Sequence, residues 1–256
     1  LFLCSTMIFS QAQKSLQPHQ GKIQSIVESA NNTFYTAGDD GFVVKWLPDG
    51  TGEHFQISDL EIKLIAVSPN GTDIAVYETD GFSIHRVSEW NWKTLTRKNA
   101  KRFTDSIVSL EYSAKGTYLM AGTSSVDGML FLDPKNKLTP LSVVKDFTGT
   151  VTVAKTGKTE KTVLMYSPQG TLTYYNLADG SKVQEFDCET LLEQATLLYN
   201  NVYLVGTKND SISIIKATTG EISATIPSKN PIILKSSGSD LHFVEFDEQN
   251  DRFILK

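Results

Sequence analysis

The residue types that could carry chemistry in this chain are few and widely spaced. His19, His54, His85 and His242 stand apart, and no HExxH pair, nucleophile elbow, P-loop or dinucleotide glycine motif accompanies them. Metal-bound water, an activated serine and a phosphate cradle each need groups held within coordination or hydrogen-bond distance, and local motifs are the usual way to hold them. Cys4 and Cys188 lie in no CxxC or Cys/His cluster, so no zinc module is encoded. The sequence therefore predicts no catalytic, metal-binding or cofactor-binding residue. An enzyme built on this chain would have to assemble its site from separate segments that converge in space.

One stretch differs from the rest. Between Glu89 and Phe103 the tryptophans Trp90 and Trp92 are followed by a run of basic residues that includes Arg97, Lys98, Lys101 and Arg102. Trp and Arg are enriched at the energetic centres of protein interfaces, and a basic, aromatic loop also suits an anionic polymer. These six residues form the candidate partner-binding set. On the packing alternative, Trp90 or Trp92 fills a gap between structural units while the cations coat a solvated outer strand. The formal net charge of -5 and pI near 5.4 give no overall basic field, so nucleic acid is not the expected partner and a protein or peptide is.

The elements that must position these residues are strands. The composition is 40% hydrophobic and 21% charged, rich in Val, Ile, Thr, Tyr and Phe, and it lacks Ala-rich helical stretches. Residues 22–28, 33–37 and 42–46 alternate apolar and polar residues and are separated by turn residues, Ala30-Asn31-Asn32 and Gly38-Asp39-Asp40-Gly41. The same grammar returns at 67–85, 110–132, 162–175 and 202–215, and, without the turn signature, at 240–255. Aligning the turns on Gly41, Gly81, Gly128, Gly170 and Ser211 gives spacings of 40, 47, 42 and 41 residues. That is the period of a four-stranded β-propeller blade, roughly 40–45 residues. Such a unit cannot bury both faces alone, so blades stack radially and cover one another. The acidic residues before the turn glycines, Asp40, Asp80 and Asp127, with Asp210, are read as turn-holding groups. The longest spacing, Gly81 to Gly128, contains the Trp90–Phe103 stretch and reads as an insertion.

The segment Ala37-Gly-Asp-Asp-Gly-Phe-Val-Val-Lys-Trp46 resembles the end of a WD repeat, where an Asp-Gly turn precedes an alternating strand that closes on Trp-Asp. Leu47 stands here in place of the final Asp, and His19 is followed by Gln20-Gly21 rather than preceded by Gly. Val67-Ser-Pro-Asn-Gly-Thr-Asp-Ile-Ala75 is similar to TolB-type propellers. Ala178-Asp-Gly-Ser-Lys182 and Thr218-Thr-Gly-Glu221 are similar to the strand-linking turns of quinoprotein-like propellers. These resemblances imply an all-β propeller of about six blades, seven if more sequence follows, acting as a non-enzymatic scaffold for a protein partner. The alternatives are a propeller enzyme, hydrolase, lyase or quinoprotein-like, with its site in the central channel, and the propeller portion of a longer protein.

Leu1–Phe9 is a compact apolar run followed by Ser10-Gln11-Ala12, small residues at the -3 and -1 positions of a signal peptidase site. Residues 1–12 are read as a residual export signal and residues 13–256 as the propeller, which places the protein in the periplasm, the envelope or outside the cell, in a bacterial setting. An outer strand in place of the signal, and a cytoplasmic location, are the alternatives. No segment reaches the ~20 apolar residues that a membrane-spanning helix needs. The last repeat stops after its third strand, so its outer strand is expected from residues 13–17 or from sequence beyond Lys256.

Overall fold

The computed structural model describes residues 19–29, 33–124, 128–145, 153–167, 169–198, 202–229, 231–233, 241, 243–247, 249 and 252–255. Every regular element among them is a strand, and the strands pair in chain order as antiparallel sheets. The first blade holds β1 (Ile23–Ser29), β2 (Thr33–Gly38), β3 (Phe42–Trp46) and β4 (Gly52–Gln56). The second holds β5 (Glu61–Val67), β6 (Asp73–Thr79), β7 (His85–Asn91) and β8 (Thr96–Phe103). The third is β9 (Ile107–Tyr112), β10 (Leu119–Thr123), β11 (Met129–Asp133) and β12 (Thr139–Val144). The fourth is β13 (Val153–Thr156), β14 (Thr162–Tyr166), β15 (Thr171–Asn176) and β16 (Lys182–Asp187). The fifth is β17 (Gln194–Leu198), β18 (Tyr203–Thr207), β19 (Ser211–Lys216) and β20 (Ile222–Pro227). A sixth sheet has three described strands, β21 (Ile232–Ile233), β22 (Phe243–Asp247) and β23 (Arg252–Leu255). The protein is an all-β propeller of four-stranded antiparallel blades.

Burial explains the unbroken apolar runs within the second strands, such as Ile74–Tyr77 of β6 and Val163–Tyr166 of β14. A strand covered on both faces loses the polar half of its alternation. In β6, Ile74 and Val76 pack toward the first blade, while Ala75 and Tyr77 pack toward the third. In β14, Val163 and Met165 face back toward the third blade, and Leu164 and Tyr166 face forward to the fifth. The core is thus a series of clusters, one in each gap between neighbouring blades, rather than a single central mass. The first strands of successive blades adjoin in order, β1 beside β5, β5 beside β9 and so on to β21.

The five turn positions aligned in sequence all precede or begin the third strand of a blade. Gly41, Gly81, Gly128 and Gly170 adopt positive φ, between 67° and 91°, which explains the residue type. At Gly41 the reason is double, because its carbonyl accepts hydrogen bonds from Ile57 and Ser58, and a Cβ would strike the Ser58 carbonyl. Asp127, Ala30–Asn32, His242, Cys4 and residues 1–17 lie outside the described residues.

Among its described residues, the long Gly81–Gly128 interval holds no inserted loop. Residues 85–103 form an ordinary third and fourth strand drawn out to seven and eight residues, paired from His85 opposite Phe103 to Asn91 opposite Thr96. In the first blade the corresponding strands have five residues each. One irregularity recurs in the second to fifth blades. The outer strand carries one extra residue, Lys98, Leu141, Val183 or Ser223, where pairing with the third strand shifts register. A bulge of this kind increases local twist and bends the outer strand.

Candidate partner-binding surface

The β7–β8 hairpin shows where each residue of the candidate set lies. Trp92, in the turn after β7, is 8% exposed and belongs to the core between the first two blades. Tyr35 and Phe55 of the first blade meet it edge to face, with ring centroids 5.2 and 5.6 Å away. Trp90 is half-buried against the same core, and its indole N–H donates to Ser88 Oγ at 2.8 Å. Both tryptophans therefore pack, as the structural alternative had it. The cations lie on β8, the outer strand of the blade.

Alternation sorts those cations onto two faces. Arg86 reaches Ser58 and Trp90 reaches the first-blade core, so these β7 residues face the first blade. Val87 packs with the third blade and Glu89 bonds to it, so they face the other way. Arg102 stands opposite Arg86 and Arg97 opposite Trp90, which puts both arginines on the face toward the first blade. Both are exposed, and the Arg97 guanidinium lies 6.0 Å from the Trp90 ring centroid, a cation–π distance. Lys101, opposite Val87, is half-buried and lies over Phe103, its Nζ 5.7 Å from the ring centroid.

Lys98 is committed within the fold. Its Nζ lies 2.8 Å from Asp73 Oδ2 and 3.5 Å from Glu89 Oε1. Burial alone would lower its pKa, but these two carboxylates outweigh that and hold it above the usual lysine value. Arg86 is also committed, to the buried Glu78, which accepts from the Ser88 hydroxyl as well. Among the described residues, neither Arg97 nor Arg102 has a carboxylate within ion-pair distance.

Other ionisable groups that invite a functional reading are also paired. His85 is nearly buried and stacks beside Tyr77, whose hydroxyl lies 2.7 Å from its Nδ1. In the first blade the Trp46 indole N–H donates to Thr36 Oγ1 at 2.9 Å, and Thr36 Oγ1 lies 2.8 Å from His19 Nε2. His19 Nδ1 lies 3.1 Å from both carboxylate oxygens of Asp40. The protons close this chain if Thr36 donates its only one to Nε2, leaving Nδ1–H to donate to Asp40. Trp46 is half-buried, and its polar edge does the anchoring. Asp40 also accepts the backbone N–H groups of Gln20, Gly21 and Phe42. Burial pushes its pKa up, but these donors more than compensate and hold it below the usual carboxylate range. Asp80 accepts N–H groups from Phe82, Ser83 and Ile84, which lowers its pKa further.

Nothing in the sequence marks Glu78 and Glu89 as buried. An acidic residue on an alternating strand looks the same in sequence whether it faces water or a blade gap. Cys188 packs half-buried beside the core between the fourth and fifth blades, and burial, with Asp187 nearby, pushes its thiol up to about 11. A cavity of about 200 Å³ lies between the first strands, lined by Ser25, Ile26, Leu64, Val108, Ser109 and Glu111 among others. Glu111 on its wall lies 3.8 Å from Lys155. Among the described residues no group of three metal-ligating side chains occurs, and no helix is long and apolar enough to cross a membrane.

The fold and the paired interior define a β-propeller whose exposed chemistry lies on its strands and turns. Residues 6–255 match the model of a protein family described as an N-terminal beta-propeller domain, and the chain belongs to that family. It is also similar to an uncharacterized protein of Treponema pallidum (strain Nichols), 35% identical over 211 residues. The match takes in 82% of this chain and 34% of the treponemal protein, so the chain spans about a third of the relative's length.

Proposed function

We propose that this propeller is a non-enzymatic scaffold, WD-repeat-like in its first blade, which binds a protein partner outside the cytoplasm. The observation that carries the reading is the outer strand β8, which presents Arg97 and Arg102 without a carboxylate partner among the described residues, whereas Lys98 and the neighbouring Arg86 are paired with carboxylates. The WD-like reading draws on the first blade, where the Asp40 turn and Trp46 are tied through His19 and Thr36. Export draws on the apolar run Leu1–Phe9 and the small residues after it. The share of the treponemal relative outside the match supports a propeller that serves as one module of a longer protein.

The test is recovery of partners from an envelope fraction by the parent and by a variant with Arg97, Lys101 and Arg102 changed to Gln. Lys98 is kept, because its removal would leave Glu89 and Asp73 without their cation. Loss of a partner with an unchanged melting temperature is the expected result, and identical recovery by the two proteins refutes the scaffold role of this surface.

A further inference from the structure

The partner-binding reading leaves open what β8 would bind. As the outer strand of its blade, β8 pairs among the described residues with β7 alone, so its other side offers backbone N–H and C=O groups to an added strand. At eight residues it is the longest strand described. Two other outer strands carry prolines that discourage addition, Pro140 within β12 and Pro227 at the end of β20. β8 has no proline, and downstream of the Lys98 bulge it pairs regularly from Asn99 to Phe103.

Charge then selects the partner. Arg97 and Arg102 face the same way, with only Ala100 between them on that face. Their positions opposite Trp90 and Arg86 span four residues of β7, or ~13 Å at about 3.3 Å per residue. Arg97 lies beside Trp90, its guanidinium 6.0 Å from the ring centroid, which reduces the conformational freedom it loses when it binds a carboxylate.

We propose that the free edge of β8 takes up an extended acidic peptide as an added strand, with two carboxylates four residues apart meeting Arg97 and Arg102. Because side chains alternate, residues four apart lie on one face at that same ~13 Å spacing, whereas residues three apart lie on opposite faces. The backbone supplies affinity, and the arginine pair supplies the preference for acid and for spacing. This rests on the scaffold reading and names its partner class.

The probe is a fluorescein-labelled peptide of alternating Thr and Val with two Glu residues four apart, titrated with the full chain in fluorescence anisotropy. Controls carry the Glu residues three apart, or are N-methylated at every second residue in either phase. Binding that weakens about tenfold with the altered spacing, with Arg97→Gln and with Arg102→Gln, and that is abolished by one N-methylation phase, supports the proposal. A difference of that size corresponds to ~1.4 kcal/mol. Equal affinity for all peptides overturns it, since the attraction would then be unspecific charge, and so does no binding at all. If the envelope pull-down still loses its partner in the arginine variant while the peptides fail, strand addition is wrong and the scaffold reading stands. If the pull-down is also unchanged, both fall.

Discussion

Glu89 of β7 and Tyr112 of β9 meet across the gap between the second and third blades, hydroxyl to carboxylate at 2.9 Å, with 1% and 7% of their surfaces exposed. A carboxylate so far from water is tolerable only because Tyr112, Asn99 and Lys98 surround it with donors. Burial first, and the Glu89 charge second, raise the Tyr112 pKa well above its ordinary value.

Tyr112→Phe removes one charge-assisted hydrogen bond without opening a cavity. The expected loss is about 1.5–3 kcal/mol, the range for a bond to an ionised group. Urea unfolding checks it: the midpoint falls while the slope stays the same. An unchanged midpoint would mean that the hydroxyl does not serve the carboxylate.

Asp40 makes acid stability a readout of the first blade. Its pKa is depressed in the folded protein, so its stabilisation is complete above the unfolded value near ~4 and is lost as pH falls through the folded value. Asp40→Asn should cost about 1 kcal/mol at neutral pH, the difference between charged and neutral acceptors. The gap between parent and variant should close below about pH 4, and thermal melts at pH 7 and pH 3 measure it. A gap of equal size at both pH values contradicts an ionised Asp40 holding the turn.

Gly41 and Gly81 occupy equivalent turns but differ in what surrounds them. Both have positive φ, 73° and 82°, yet a Cβ on Gly81 meets nothing within 4 Å, while one on Gly41 strikes the Ser58 carbonyl. Gly81→Ala should therefore cost only the left-handed strain of roughly 1–2 kcal/mol. Gly41→Ala should cost clearly more, since backbone of the link into β5 must move. Comparing the two melting temperatures tests whether the turns are held by conformation alone or also by contact.

The period was legible in the sequence because its markers are local. A positive-φ turn selects glycine at Gly41, Gly81, Gly128 and Gly170, and a strand buried on both faces selects an unbroken apolar run such as Val163–Tyr166. The site was only half legible. The residue types between Trp90 and Arg102 marked the stretch, but what separates Trp92 from Arg97 is distant in the chain: Tyr35 and Phe55 on one side, open solvent on the other. Glu89 and His19 were missed for the same reason. Their partners Tyr112, Asp40 and Thr36 lie 23, 21 and 17 residues away, at spacings that no local motif records.

Trp92 separates packing from binding within one hairpin. Its ring fills the gap between the first two blades, so Trp92→Ala should lower stability by ~3–5 kcal/mol, as loss of a large core aromatic does. Part of that cost belongs to the edge-to-face contact with Tyr35. A double-mutant cycle of Trp92→Leu with Tyr35→Leu should return a coupling of about 0.5–1.5 kcal/mol. Arg97→Gln and Arg102→Gln, on the exposed strand beside it, should leave the melting temperature nearly unchanged. If Trp92→Ala melts like the parent, the indole is not packed as described. If the arginine variants melt lower than Trp92→Ala, the two cations stabilise the fold and are not held for a partner.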